Sequence, residues 1–149
     1  MGARPMNTMW FSLTAVGLGA VWYAALLPFA KAETLGGPLW FLNLSAMCLA
    51  SLSVATLFHG QIVGARGRMF HALAIGLPTV GAFLFGVYTV VGWMLWNSTQ
   101  PGLITRLDHD SIKIPFLFVL FGAWGLFFIA VPMGYVSQWL LQKVAGLGR

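Results

Sequence analysis

The amino-acid sequence predicts an all-α integral membrane protein, with four transmembrane helices in an up-down bundle and both termini cytoplasmic. Three observations carry this reading. Of 149 residues, 59% are hydrophobic and 7% charged, whereas a soluble domain carries about a quarter charged residues because its surface faces water. Mean hydropathy is +0.85. The apolar residues fall into four runs, 9–30, 38–63, 69–96 and 114–141, each longer than the ~20 residues that cross ~30 Å of hydrocarbon. No Asp, Glu, Lys or Arg lies inside any of them.

The first run exceeds the 7–15 apolar residues of a signal-peptide core. It is therefore expected to persist as a span, despite the small residues of a conceivable cleavage site at Phe29-Ala30-Lys31-Ala32. The second run opens on Pro38, at a helical first turn where the missing N–H costs nothing. It is rich in small residues (Ser45, Ala46, Cys48, Ala50, Ser51, Ser53, Ala55) on more than one face, so this helix can approach several neighbours closely. The first and third runs add Gly17, Ala20 and Ala24, and Ala72, Gly76 and Thr79, at three- and four-residue spacing. Pro78 and Pro132 fall inside the third and fourth runs and are expected to kink them. The fourth run begins near Pro115 and is bulky, with Phe116, Phe118, Phe121, Phe127 and Phe128 expected to face lipid by default. Gly122 and Gly134 on that run are expected at contacts with a partner. Short connections make residues 1–149 a single domain, with no internal repeat.

Orientation follows from the connectors. With a cytoplasmic N-terminus, Arg4, Arg66, Arg68, Lys143 and Arg149 lie inside, and Lys31, Arg106 and Lys113 lie outside with all three acids. This is the bias of the positive-inside rule, carried most clearly by the 64–68 turn. Trp40, Trp93 and Trp96 are expected at the outer interface, and Trp10 and Trp139 at the inner one. The expected location is the cell (inner) membrane, multi-pass. The net charge of +5 comes from scattered residues, with no basic stripe to track a phosphate backbone, so nucleic acid is not an expected partner. A single cysteine, Cys48, excludes an internal disulfide or CxxC pair, and with it a thiol oxidase.

Proton relays and ion-coupled carriers place ionisable groups at membrane depth; these runs have none, and Asn43 there is expected to bridge helices. Ser51 and His59 share the second run but stand about 12 Å apart along it, too far for a base to activate a nucleophile. No catalytic residue, no metal site and no enzymatic activity are expected. His59 and His71 end the second run and begin the third. Neutral imidazoles on adjacent helices can ligate a b-type haem, so these two are the candidate cofactor-binding residues. The plainer reading seats both at headgroup level, with no cofactor. Asp108-His109-Asp110 reads as a solvated loop, and Asn97-Ser98-Thr99 is formally a glycosylation sequon beside Trp96.

Two families share features with the chain. Residues 59–66, with His59, Gly60 and Arg66, resemble the histidine–glycine–arginine run of cytochrome b anchor subunits of succinate dehydrogenase, with the spacing off by one. That resemblance implies electron transfer through haem. The four-run layout, the basic glycine turn after the second run, Ile114-Pro115 and the late Pro132-x-Gly134 are similar to small membrane subunits of tripartite periplasmic transporters. The tryptophan–acid signature of that family is missing, because Glu33 is displaced from Trp40.

The function expected on these grounds is a non-catalytic accessory or structural subunit of a larger multi-subunit membrane complex, energy-transducing or transporting. Its partners would be the lipid bilayer and other membrane subunits. The alternatives are a small cytochrome b-like electron carrier using His59 and His71, a small subunit of a tripartite periplasmic transporter, and a self-contained transporter or channel.

Overall fold

A computed structural model describes residues 5–28, 40–99 and 127–146. Among these residues the chain is all-helical, with no strands. The helices are α1 (Pro5–Leu26), α2 (Trp40–Leu57), α3 (His59–Gly64), α4 (Arg68–Thr99) and α5 (Phe127–Gly146). Three stretches are long and apolar enough to cross a membrane: Thr8–Leu26, Trp40–Leu57 and Arg68–Trp96. Residues 127–141 of the fourth run lie in α5; its first part, 114–126, lies outside the described residues, as do Gly122, Glu33 and the Asp108-His109-Asp110 loop.

The boundaries have local causes. Helix α1 ends at Leu26, two residues before Pro28, because a proline disfavours helical backbone in the residue ahead of it. The second run, expected to be helical through 63, divides at Phe58, whose φ of −103° and ψ of 16° separate α2 from α3. Just before the break, Thr56 Oγ1 donates to the carbonyls of Leu52 and Ser53, 2.9 and 3.0 Å away, a back-bond that bends helices. Gly60 follows with its high backbone entropy. The backbone bonds Phe58 N–H to Val54 O and Ile62 N–H to Phe58 O persist, so the break is a bend in the second run. Between α3 and α4 the chain turns at Gly67, whose φ of +55° is left-handed and favours glycine. Neither Pro78 in α4 nor Pro132 in α5 interrupts its helix.

Packing joins α1 to α2, α2 to α4, α4 to α5 and α5 back to α1, closing a ring. Phe11 meets His59 while Gly19 meets Cys48, so α1 and α2 run antiparallel. Phe41 meets Trp96 while Val54 faces Gly81, which sets α2 antiparallel to α4. The interior is apolar, built on residues such as Phe11, Ile62 and Phe85, but it also takes in polar side chains while large apolar ones face outward. Asn43, Thr89 and Gln138 are buried, whereas Met94, Leu95, Phe128 and Leu57 are more than 60% exposed. Only 28–33% of each candidate span is buried by protein, and the remaining apolar surface suits lipid contact.

On α2 the small residues Ala46, Ala50 and Ala55 are buried, as expected, but α1 and α4 meet their neighbours on faces other than those expected from small-residue spacing. Gly17 and Gly76 have no neighbouring atom within 4 Å of a would-be Cβ, and Ala24 and Ala72 are exposed. The close approaches instead use Gly19, against Met47 and Cys48, and Gly134, against Ala74 and Pro78. Gly134 thus packs inside the chain, which corrects its expected place at a partner contact. Trp93, expected at the outer interface, is 3% exposed and buried among the helices. Trp10, Trp40 and Trp139 are half exposed, as interfacial anchors would be. Trp139 also lies under Lys143 Nζ, 4.6 Å from its ring centroid.

Candidate functional site

The ring of helices lines a partly open cavity of about 90 Å³. Helix α1 contributes Leu18, Trp22 and Leu26, and α2 contributes Met47, Ala50, Ser51, Val54 and Ala55. Helix α4 contributes a long wall from Leu73 to Phe85, and α5 contributes Ala130, Gly134, Ser137, Gln138 and Leu141. The small side chains on α2 keep the space open. They are the signal in the sequence that points to it, although sequence reasoning assigned them only to close packing.

Three polar side chains line this apolar space. Ser51 Oγ donates to Ala15 O across the α1–α2 seam at 2.6 Å. Ser137 Oγ accepts the Trp22 indole N–H at 3.0 Å, tying α5 to α1. Gln138 is 2% exposed, and its Nε2 donates to Ile62 O at 3.3 Å. Because Ile62 O is an acceptor only, the amide orientation is fixed, and Oε1 is left buried without a hydrogen-bond partner among the described residues. Gln142, one turn later, donates to Ile62 O and Ala65 O, both at 2.9 Å. The two glutamines therefore satisfy carbonyls at the end of α3 that have no helical partner.

The candidate haem ligands engage different helices. The His59 ring packs edge-on against Phe11 of α1, with centroids 4.7 Å apart. His71 Nδ1 lies 2.8 Å from the Tyr135 hydroxyl of α5, and Phe70 flanks the same pair. Both histidines are exposed. No cluster of three or more His, Cys, Asp or Glu exists among the described residues.

The polar groups chiefly join helices. Besides the bonds above, Ser53 Oγ and the Tyr88 hydroxyl meet at 2.8 Å, tying α2 to α4. Arg66, Arg68 and Lys143, the basic residues among those described, sit at helix ends near the α3–α4 turn and the close of α5. Asp and Glu are absent among the described residues. The arrangement offers cohesion and an apolar cavity, and the ionisable side chains that meet across α4 and α5 are His71 and Tyr135.

No family model matches the chain, and no solved structure matches it. Two curated proteins do, each named phospho-N-acetylmuramoyl-pentapeptide-transferase, from Limosilactobacillus reuteri strain DSM 20016 and L. reuteri subsp. reuteri strain JCM 1112. Each is 30% identical over 80 residues, 54% of this chain. The chain spans only about a fifth of the length of these relatives, with 20% of each covered.

Proposed function

We propose that this chain is a non-catalytic accessory subunit of a larger multi-subunit complex in the cell (inner) membrane. In this reading it crosses four times as an up-down bundle, with both termini cytoplasmic. The observation that carries it is the division of labour among side chains. Ser51, Ser53, Ser137, Gln138 and Gln142 are spent on joining helices, whereas large apolar side chains such as Phe83, Val91, Met94 and Phe128 point outward. A bundle in lipid gains nothing from expelling water, so this outer surface is available to neighbouring subunits and to lipid.

Extraction in a mild detergent should yield the chain within an assembly heavier than its own homo-oligomers. Recovery only as a lone monomer or homo-oligomer with an activity of its own overturns the proposal. The partial likeness to the transferases supplies one activity to assay, transfer of phospho-N-acetylmuramoyl-pentapeptide. Phosphoryl transfer commonly draws on carboxylates to hold a divalent metal, and the whole chain has only Glu33, Asp108 and Asp110. A b-type absorption band lost in both His59→Ala and His71→Ala would instead assign electron transfer.

The topology has its own test. Cysteines introduced at Arg66 and at His109 should react with impermeant reagents from opposite sides of the membrane. Labelling of both from the same side rejects the four-span arrangement.

A further inference from the structure

The charged side chains of the described residues gather at one end of the helix ring. With histidine counted neutral they are Arg66, Arg68 and Lys143, and all three are exposed. Arg66 and Arg68 flank Gly67 in the left-handed turn between α3 and α4. Gln142 of α5 reaches the same turn, its Nε2 donating to Ala65 O at 2.9 Å. Arg66 adjoins Ala65 in sequence and Lys143 adjoins Gln142, so this bond brings the three cations to one patch. No Asp or Glu stands among the described residues to neutralise them.

Aromatic side chains mark the depth of the patch. Trp139 is half exposed, and Lys143 Nζ lies 4.6 Å from its ring centroid. Trp10, also half exposed, stands at the same end, beside the Phe11 that meets His59. Tryptophans of this kind sit at headgroup level. Guanidinium groups grip phosphate through paired N–H donors, and a lysine adds a point charge. An acidic protein segment could meet the same charges, but the flanking tryptophans and the exposed apolar surface of α4 and α5 favour a lipid.

We propose that Arg66, Arg68 and Lys143 form a site for the headgroup phosphate of an anionic phospholipid. Its acyl chains would run along the outward side of α4 and α5, where Ile75 and Val136 are exposed. This goes beyond the accessory-subunit reading and rests only on the helices crossing a membrane.

The test is native mass spectrometry of the full chain in mild detergent. Phosphatidylglycerol and phosphatidylcholine with identical acyl chains are titrated separately, so that only the headgroup differs. Phosphatidylglycerol should bind saturably and more tightly. Each basic residue near an anionic surface is worth about fivefold in affinity, so Arg66→Gln with Arg68→Gln should weaken phosphatidylglycerol binding about thirtyfold. Phosphatidylcholine binding should barely change. Lys31→Gln, which removes one charge outside these three, should leave both lipids within about twofold. Free glycerol phosphate should not displace the lipid, because it brings no acyl chains. Raising the ammonium acetate concentration should weaken phosphatidylglycerol binding to the unaltered chain, which decides the matter even where a variant fails to fold. Equal binding of the two lipids, displacement by free glycerol phosphate, or a loss with Lys31→Gln as large as with the arginine pair overturns the proposal. Equal lipid binding together with a co-extracted protein that the arginine pair releases would assign the patch to an acidic partner instead.

Discussion

Replacing Gly134 with alanine should destabilise the protein by about 2 kcal/mol, and replacement with valine by about 3 kcal/mol or more. A Cβ at position 134 would collide with the Ala74 carbonyl oxygen and come within 2.9 Å of Pro78 Cγ. The first obstacle is backbone and the second a rigid ring, so neither yields as the tip of a flexible side chain would. Pro78 shapes this contact, because it has no N–H to give the Ala74 carbonyl four residues earlier. The α5 backbone lies close against that stretch of α4. Since alanine already brings the offending atom, most of the loss appears with the first methyl group. Gly76→Ala on the same helix α4 is the control: nothing lies within 4 Å of its Cβ, so it should be neutral or stabilising by about 0.5–1 kcal/mol through lower unfolded-state entropy. Thermal unfolding in mild detergent, followed by far-UV circular dichroism, reads both. A Gly134→Ala protein as stable as the parent would show that α4 and α5 do not approach this closely.

Composition makes the helical class and the placement of the apolar runs legible, because a bilayer demands a minimum apolar length and the chain meets it repeatedly. Which face of α1 and α4 turns inward was not legible from apolar pattern or small-residue spacing, although the small residues Ala46, Ala50 and Ala55 of α2 are buried. In lipid the outward face is as apolar as the core, so hydrophobic periodicity carries little information. Small residues such as Gly17 and Gly76 can stand toward lipid as readily as toward a neighbour.

Buried polar residues are the better marker, because their cost in hydrocarbon turns them inward. Counting in helical steps from Asn43 along α2 reaches Met47, Ala50 and Val54, all buried. Counting back from Thr89 along α4 reaches Phe85, Ala82, Pro78 and Ala74, which include the Gly134 contact and part of the cavity wall. From Gln138 on α5 the same steps reach Gly134 and Leu141. Among the described side chains of α1 no Asn, Gln, Ser or Thr is buried, and there the inward face was out of reach. The Phe58 bend was equally hidden, because it depends on Thr56 bonding its own helix and on α5 supplying Gln138 and Gln142 to the far side of the break.

That unseeded helix carries the second large effect. Gly19→Val should cost about 3 kcal/mol, because a Cβ at position 19 would stand 2.7 Å from Cys48 Cα and 2.8 Å from Met47 O. Both are backbone atoms of α2, so relief requires the two helices to separate. Gly17→Val, two residues away and with no atom within 4 Å of its Cβ, should change stability by no more than about 0.5 kcal/mol. One turn from Gly19, the Ser51 hydroxyl donates to Ala15 O across the same seam at 2.6 Å, and interhelical bonds of this kind average about 0.6 kcal/mol in membranes. Ser51→Ala alone should therefore cost roughly that amount. Combined with Gly19→Val it should add almost nothing, because separated helices have already lost the bond, and neighbouring sites that share a seam are not additive. Unfolding of the two single variants, the double variant and Gly17→Val completes the comparison. Equal losses for Gly17→Val and Gly19→Val, or full additivity with Ser51→Ala, would place the α1–α2 contact on a different face of α1.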